Sequence, residues 1–119
     1  METRWFENHV AYSMTKYGMS MCVMGFAEEY KDNGIADNAL WPKTIIATAA
    51  IRYLFGGNKG IEMSRHPGII ADAALEIVCR ESKSCTGNFF LDEDLLKEIG
   101  VKDFSKYAVN SDLDLMPDL

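Results

Sequence analysis

The stretch "HVAYSMTKYGMS", residues 9–20, decides how this chain is read. It contains no proline and places Tyr12 and Lys16 four residues apart, which on a helix means one turn apart on one face. A free phenol, with a pKa near 10, is a poor proton donor or acceptor partner at neutral pH, and a neighbouring ammonium is the kind of charge that changes this. The same spacing also describes a surface lysine beside a half-buried tyrosine. The pair alone leaves both readings open.

Outward from this stretch, the helical pattern runs from Trp5 to Tyr30. Tyr12, Lys16, Met19, Val23 and Phe26 share one face. Met14, Gly18, Met21 and Gly25 form a second, where glycine permits close approach of another element. With Tyr17, Ser20, Met24 and Ala27 completing the circumference, the helix is apolar nearly all round. Such a helix is expected to be buried from several sides. The methionine stripe reads as core packing or as a greasy substrate wall.

"KDNG" (31–34) stops the helix, and "IADNALW" (35–41) reads as a strand ended by Pro42, with Asp37 fitting poorly. "PKTIIATAAIRYLFGG" reads as a loop and a short helix that stops at Gly56-Gly57. Pro67 starts another helix, whose apolar stripe is Ile69, Ile70, Ala73, Ala74, Ile77 and Val78. "TGNFFL" (86–91) reads as a second strand, Asp92 as the cap of a helix over 93–99, and Gly100 as its stop. Residues 102–119 are acidic, weakly patterned and expected to be loosely held. Two strands and one crossover fall short of a stable parallel sheet, so the pattern describes part of a domain.

Eighteen acidic against twelve basic side chains give a formal charge of -6. That balance argues against nucleic acid as a partner. No apolar run reaches the roughly 20 residues of a membrane span, and no secretion signal is seen, so a soluble intracellular chain is expected. Cys22, Cys79 and Cys85 lack metal-ligand spacing and read as reduced, mostly packed thiols; no metal is expected. His9 and His66 read as a packing and a loop histidine.

Taken in order, "AYSMTKYG", "GIADNALWPKT", "IADAALEI" and "TGNFFLD" resemble the C-terminal half of the short-chain dehydrogenase/reductase family. The matching positions are Tyr12, Lys16, Asn38, Pro42, Thr86 and Gly87. "KYGMSM", "NALWPKT" and "TGNF" point to one branch of that family. The resemblance implies an α/β fold, the C-terminal part of a Rossmann-like doubly wound parallel sheet, over residues 1–101. It also implies an NAD- or NADP-dependent oxidoreductase acting on a carbonyl or alcohol, lipid-like in this branch. Tyr12 would be the general acid/base, while Lys16 would tune it and hold the nicotinamide ribose. Cofactor contacts fall to Lys16, Pro42 and Ile45. An ammonium about 4 Å from a developing phenolate contributes about 1 kcal/mol in water and about 4 kcal/mol at the effective dielectric of a protein pocket. Dry walls therefore decide the outcome.

The chain departs from the family at several points. Lys43 stands where most members have glycine, and Thr48 falls one residue late. The glycine-rich phosphate turn, the residue that selects NAD or NADP, and the catalytic serine have no counterpart. The branch's sterol-carrier-like domain is also absent. The chain is accordingly expected to be a segment of a longer dehydrogenase and inactive by itself. The alternative is a non-catalytic interaction module, either dimerising through residues 5–30 or associating with a full-length relative. Peroxisome or mitochondrion follows from the resemblance only, and the terminal "PDL" is no peroxisomal address.

Overall fold

The structure is a computed structural model that describes residue 3 and residues 6–118. Elements follow in the order α1 (Val10–Glu29), β1 (Ala39–Trp41), α2 (Ala49–Leu54), α3 (Asn58–Glu62), α4 (Gly68–Cys79), β2 (Phe89–Leu91) and α5 (Asp92–Glu98), with single 3-10 turns at Lys31–Asn33 and Ser105–Tyr107. β1 and β2 pair in a two-stranded parallel sheet, joined by a helical crossover long enough for parallel strands. The α/β class is as the sequence implies. The chain divides into two compact units, Met1–Ala39 with Glu81–Asn88, and Leu40–Arg80 with Phe89–Leu119.

In the first unit α1 begins at Val10 rather than Trp5, which lies outside the described residues. The turn before it contains Asn8 at φ 61, a left-handed conformation that a helix cannot contain. The ring of Phe6 stacks on Tyr17 at 5.3 Å. Only Ser13 and Ala27 of α1 are buried, with Tyr17, Gly18, Ser20 and Val23 half-buried. Among the described residues, the expected burial of α1 from several sides is thus not found. Met14, Met19, Met21 and Met24 are each more than 60% exposed.

The strands are shorter than the apolar runs suggest. Residues 35–38 and 86–88 precede them and are joined by side-chain bonds with one backbone bond between them. Asp37, a misfit in a strand, lies outside it: its N–H donates to Thr86 Oγ1 (3.0 Å), and its carbonyl accepts from Gly87 N (2.7 Å). Gly87 sits at φ +73, where a Cβ would also come 3.3 Å from that of Ala27. Both conditions select glycine.

The second unit holds the hydrophobic core: Ile69 and Ala73 of α4, Leu95 and Leu96 of α5, and Tyr107, with Leu40, Ile46, Ile70, Ile77, Phe90, Val101 and Phe104 against them. Val78, placed in the α4 stripe by sequence, is 75% exposed, so the buried stripe is narrower than the apolar pattern. Thr48 caps α2 by accepting from Ile51 N. α3 was not legible in the sequence. Its start follows Gly56-Gly57, and Gly60 is required because a Cβ there would lie 2.5 Å from the Phe55 carbonyl oxygen. Asp92 is the first residue of α5 rather than its N-cap. It is fully buried, and one carboxylate oxygen accepts from the N–H groups of Glu93 (2.6 Å) and Lys43 (2.9 Å).

The expectation of a loosely held terminal segment is overturned. Val109 N donates to Ser64 O, Met116 N to Met63 O, and Ile45 N to Met116 O, each at 3.0 Å. Tyr107 is buried, and its hydroxyl donates to Asp72 Oδ2 at 2.5 Å. Backbone pairing to distant segments leaves no periodic trace in a sequence.

Candidate active site

α1 carries the candidate proton-transfer pair in its first two turns. Tyr12 and Lys16 face the same way, with the Lys16 Nζ 5.5 Å from the centre of the Tyr12 ring. Both are exposed, Tyr12 at 57%. In that setting the cation–ring attraction is worth about 0.5–1 kcal/mol. It orients the ammonium toward the phenol but does not seal the pair from water. Two hydroxyls of these turns bond to their own helix: Thr15 Oγ1 donates to Tyr12 O (2.7 Å) and Ser20 Oγ to Lys16 O (3.3 Å). His9, directly before the helix, is exposed and makes no side-chain cap.

Asn38 is the hub of the second motif in this unit. Its amide nitrogen donates to Cys85 O (2.8 Å), and its amide oxygen accepts from both Asn88 N (3.0 Å) and Asn88 Nδ2 (2.9 Å). Thr86 and Gly87 are tied to Asp37 as described above. The three matching positions Asn38, Thr86 and Gly87 therefore fasten two chain segments at the entrances to β1 and β2. Cys85 is buried, but Cys22 and Cys79 are exposed, which corrects the expectation of mostly packed thiols. No group of three or more His, Cys, Asp or Glu side chains among the described residues has the form of a metal site.

In the second unit, Pro42 follows β1 directly and is half-buried. Ile45 is only 2% exposed, and both its backbone groups are engaged: N–H to Met116 O and C=O from Arg65 N, each at 3.0 Å. A cofactor contact through the Ile45 backbone would require one of these bonds to be given up. Thr48, one residue late for the family pattern, serves the α2 cap, and with Ala47, Arg52, Tyr53 and Ile61 it borders a shallow open depression.

Lys43, in place of the usual glycine, is anchored by Asp94 Oδ1 (2.6 Å) and Glu93 Oε1 (3.3 Å). The hydrogen bond that Lys43 donates to Asp94 is the main reason its pKa is raised. Glu93 also meets Lys97 and, at 2.6 Å, the buried Arg65 Nη2. Burial pushes the Glu93 carboxyl up. Hydrogen bonds from Lys97, Arg65 and Lys43 outweigh it, together with the Arg65 charge, and hold the group at about 2. Asp92 moves the other way, because burial outweighs its two backbone donors and the Arg65 charge. Sequence reading missed this ionic centre. Its partners are far apart in the chain, and an arginine is by default assigned to the surface.

No protein-family model matches the chain. Two solved structures resemble all of it: a putative dehydrogenase from Xanthomonas campestris (40% identity, TM-score 0.91, 43% of that chain covered) and a short chain dehydrogenase from Mycobacterium thermoresistibile (44%, 0.86, 42%). In fold and sequence, then, the chain is similar to a portion of a short-chain dehydrogenase. In sequence it is also similar to hydroxysteroid dehydrogenase-like protein 2. The Xenopus tropicalis protein is 54% identical over 114 residues, 96% of this chain and 27% of the relative. The chain thus spans about a quarter of the length of the curated relatives it matches.

Proposed function

We propose that this chain is the proton-transfer segment of a nicotinamide-dependent short-chain dehydrogenase/reductase, with Tyr12 as general acid/base and Lys16 as its tuning and cofactor-holding charge. The observation that carries this reading is the Lys16 ammonium set against the Tyr12 ring on one helix face, in a chain whose relatives are dehydrogenases.

A bound nicotinamide would supply or accept the hydride. In reduction the Tyr12 hydroxyl would give its proton to the carbonyl oxygen, and in oxidation it would take the alcohol proton back. Lys16 fits a dual role, since its ammonium has three donors and is exposed, free to reach ribose hydroxyls while remaining beside the phenol. Pro42 would border the nicotinamide. Ile45 would contribute chiefly by packing the loop, given its engaged backbone. The same resemblance favours NADP or NAD, a lipid-like carbonyl or alcohol substrate, and a peroxisomal or mitochondrial setting. It also favours dimerisation through the helix of residues 5–30.

A water-exposed pair gains little from charge, so the chain alone should not turn over. The test combines the purified chain, NADPH and a panel of ketones and long-chain acyl carbonyls, followed by nicotinamide absorbance. Turnover well above that of a Tyr12→Phe control would refute the requirement for further walls.

A further inference from the structure

The turn that leaves β1 is fastened from two directions. Trp41 ends the strand, and Pro42 has no N–H to give. The first donor past them is the Lys43 N–H, which reaches Asp92 Oδ1 at 2.9 Å across 49 residues of chain. From the other side, Lys43 O accepts from Asp118 N (3.2 Å) and Ile45 N donates to Met116 O (3.0 Å). Asp92 directly follows Leu91, the last residue of β2. Both ends of this bond therefore lie at the carboxyl ends of paired parallel strands, the edge at which open α/β sheets bind ligands.

The start of α5 does not by itself account for Asp92. The same Oδ1 accepts from Glu93 N within its own helix, a service that serine or asparagine performs without burying a charge. Asp92 is nevertheless fully buried. What an ionised acceptor adds is a stronger bond to the Lys43 N–H. The Lys43 side chain is drawn to the same corner by Asp94 Oδ1 (2.6 Å) and Glu93 Oε1 (3.3 Å). The acids of the first turn of α5 thus hold this one residue by its backbone and by its ammonium.

We infer that Asp92 is a positioning residue for the nicotinamide site: through the Lys43 N–H it fixes how Pro42 is presented at the carboxyl end of β1. This role rests on the proposed dehydrogenase reading, in which Pro42 borders the nicotinamide. A displaced Pro42 alters the wall against which the cofactor lies and leaves the proton step to other residues. The cost of losing Asp92 therefore falls on cofactor binding and not on chemistry.

In the full chain, native-state amide exchange should find the Lys43 N–H protected. Asp92→Ala should speed its exchange at least about tenfold while the Ile45 N–H is unchanged. Asp92→Asn keeps an acceptor oxygen and should retain most of the protection. In a chimera of this chain with the remainder of the Xanthomonas campestris dehydrogenase, Asp92→Ala should raise the cofactor KM at least about tenfold and hold kcat within about threefold, with Asp92→Asn near the parent. Asp72→Ala, which removes the Tyr107 hydrogen bond from the same unit, should lower Tm without moving that KM. Three outcomes overturn the positioning role and leave the dehydrogenase reading in place: an unprotected Lys43 amide, an unchanged KM in Asp92→Ala, or an equal rise in Asp72→Ala. A parent chimera that binds no nicotinamide refutes the dehydrogenase reading, and the cofactor role of Asp92 falls with it.

Discussion

The Lys16 ammonium lies one turn along α1 from Tyr12, 5.5 Å from the centre of the phenol ring. Because the contact is to the ring face rather than a tight ion pair, Lys16 can bind a second group without losing its neighbour. In the completed enzyme, Lys16→Met is therefore expected to raise the cofactor KM and lower kcat together, whereas Tyr12→Phe lowers kcat alone. Steady-state kinetics with the cofactor varied would separate the two. Equal patterns for both variants would refute the division of labour.

Asn38 satisfies three polar groups of the segment 85–88. Asn38→Ala leaves Cys85 O and Asn88 N without these partners and should cost about 2 kcal/mol in urea denaturation. A change below about 0.5 kcal/mol would show that water replaces the amide and that the motif has no fastening role.

Arg65 is buried, pairs with Glu93 at 2.6 Å, and lies 5.5 Å from the centre of the Phe104 ring. Removing Arg65 takes the buried donor from Glu93 but leaves it Lys43 and Lys97, so Arg65→Ala should destabilise by about 1.5–3 kcal/mol. The acid limb follows from Glu93. Its folded pKa, about 2 against an ordinary 4.5, means that the unfolded chain binds the proton first as pH falls. The associated stability is complete above about pH 4.5 and is lost progressively toward pH 2. Glu93→Gln should flatten that limb of the stability profile, and an unchanged slope would contradict it.

The terminal segment makes backbone hydrogen bonds through Val109, Met116 and the Ile45 N–H. Native-state amide exchange should find these three amides protected well above the exposed Lys102 amide region. Exchange at unprotected rates would restore the loosely held tail that composition suggests.

The α/β class, α4 and the order of motifs were legible because helix periodicity and turn residues are local signals. Pro67 and the Ile69–Ala73 spacing marked α4, and Gly100 stopped α5. The α1 start was misplaced because Trp5 and Phe6 continue an apolar pattern that Asn8 interrupts through its backbone, which no hydropathy pattern reports. The strands were overextended because 35–38 and 86–88 look strand-like in composition, yet pair largely through the Asn38 and Thr86 side chains, with one backbone bond from Gly87 N to Asp37 O. Docking of residues 109–118 and the Arg65–Glu93 pair depend on partners distant in the chain. At the candidate site, the spacing of Tyr12 and Lys16 was readable, whereas engagement of the Ile45 backbone was not.

The most direct measurement uses a chimera in which this chain replaces the matching 43% of the Xanthomonas campestris dehydrogenase. The account expects nicotinamide-dependent carbonyl reduction that falls at least about a hundredfold in kcat on Tyr12→Phe, with the fold unchanged by circular dichroism. Turnover indifferent to Tyr12→Phe would contradict it.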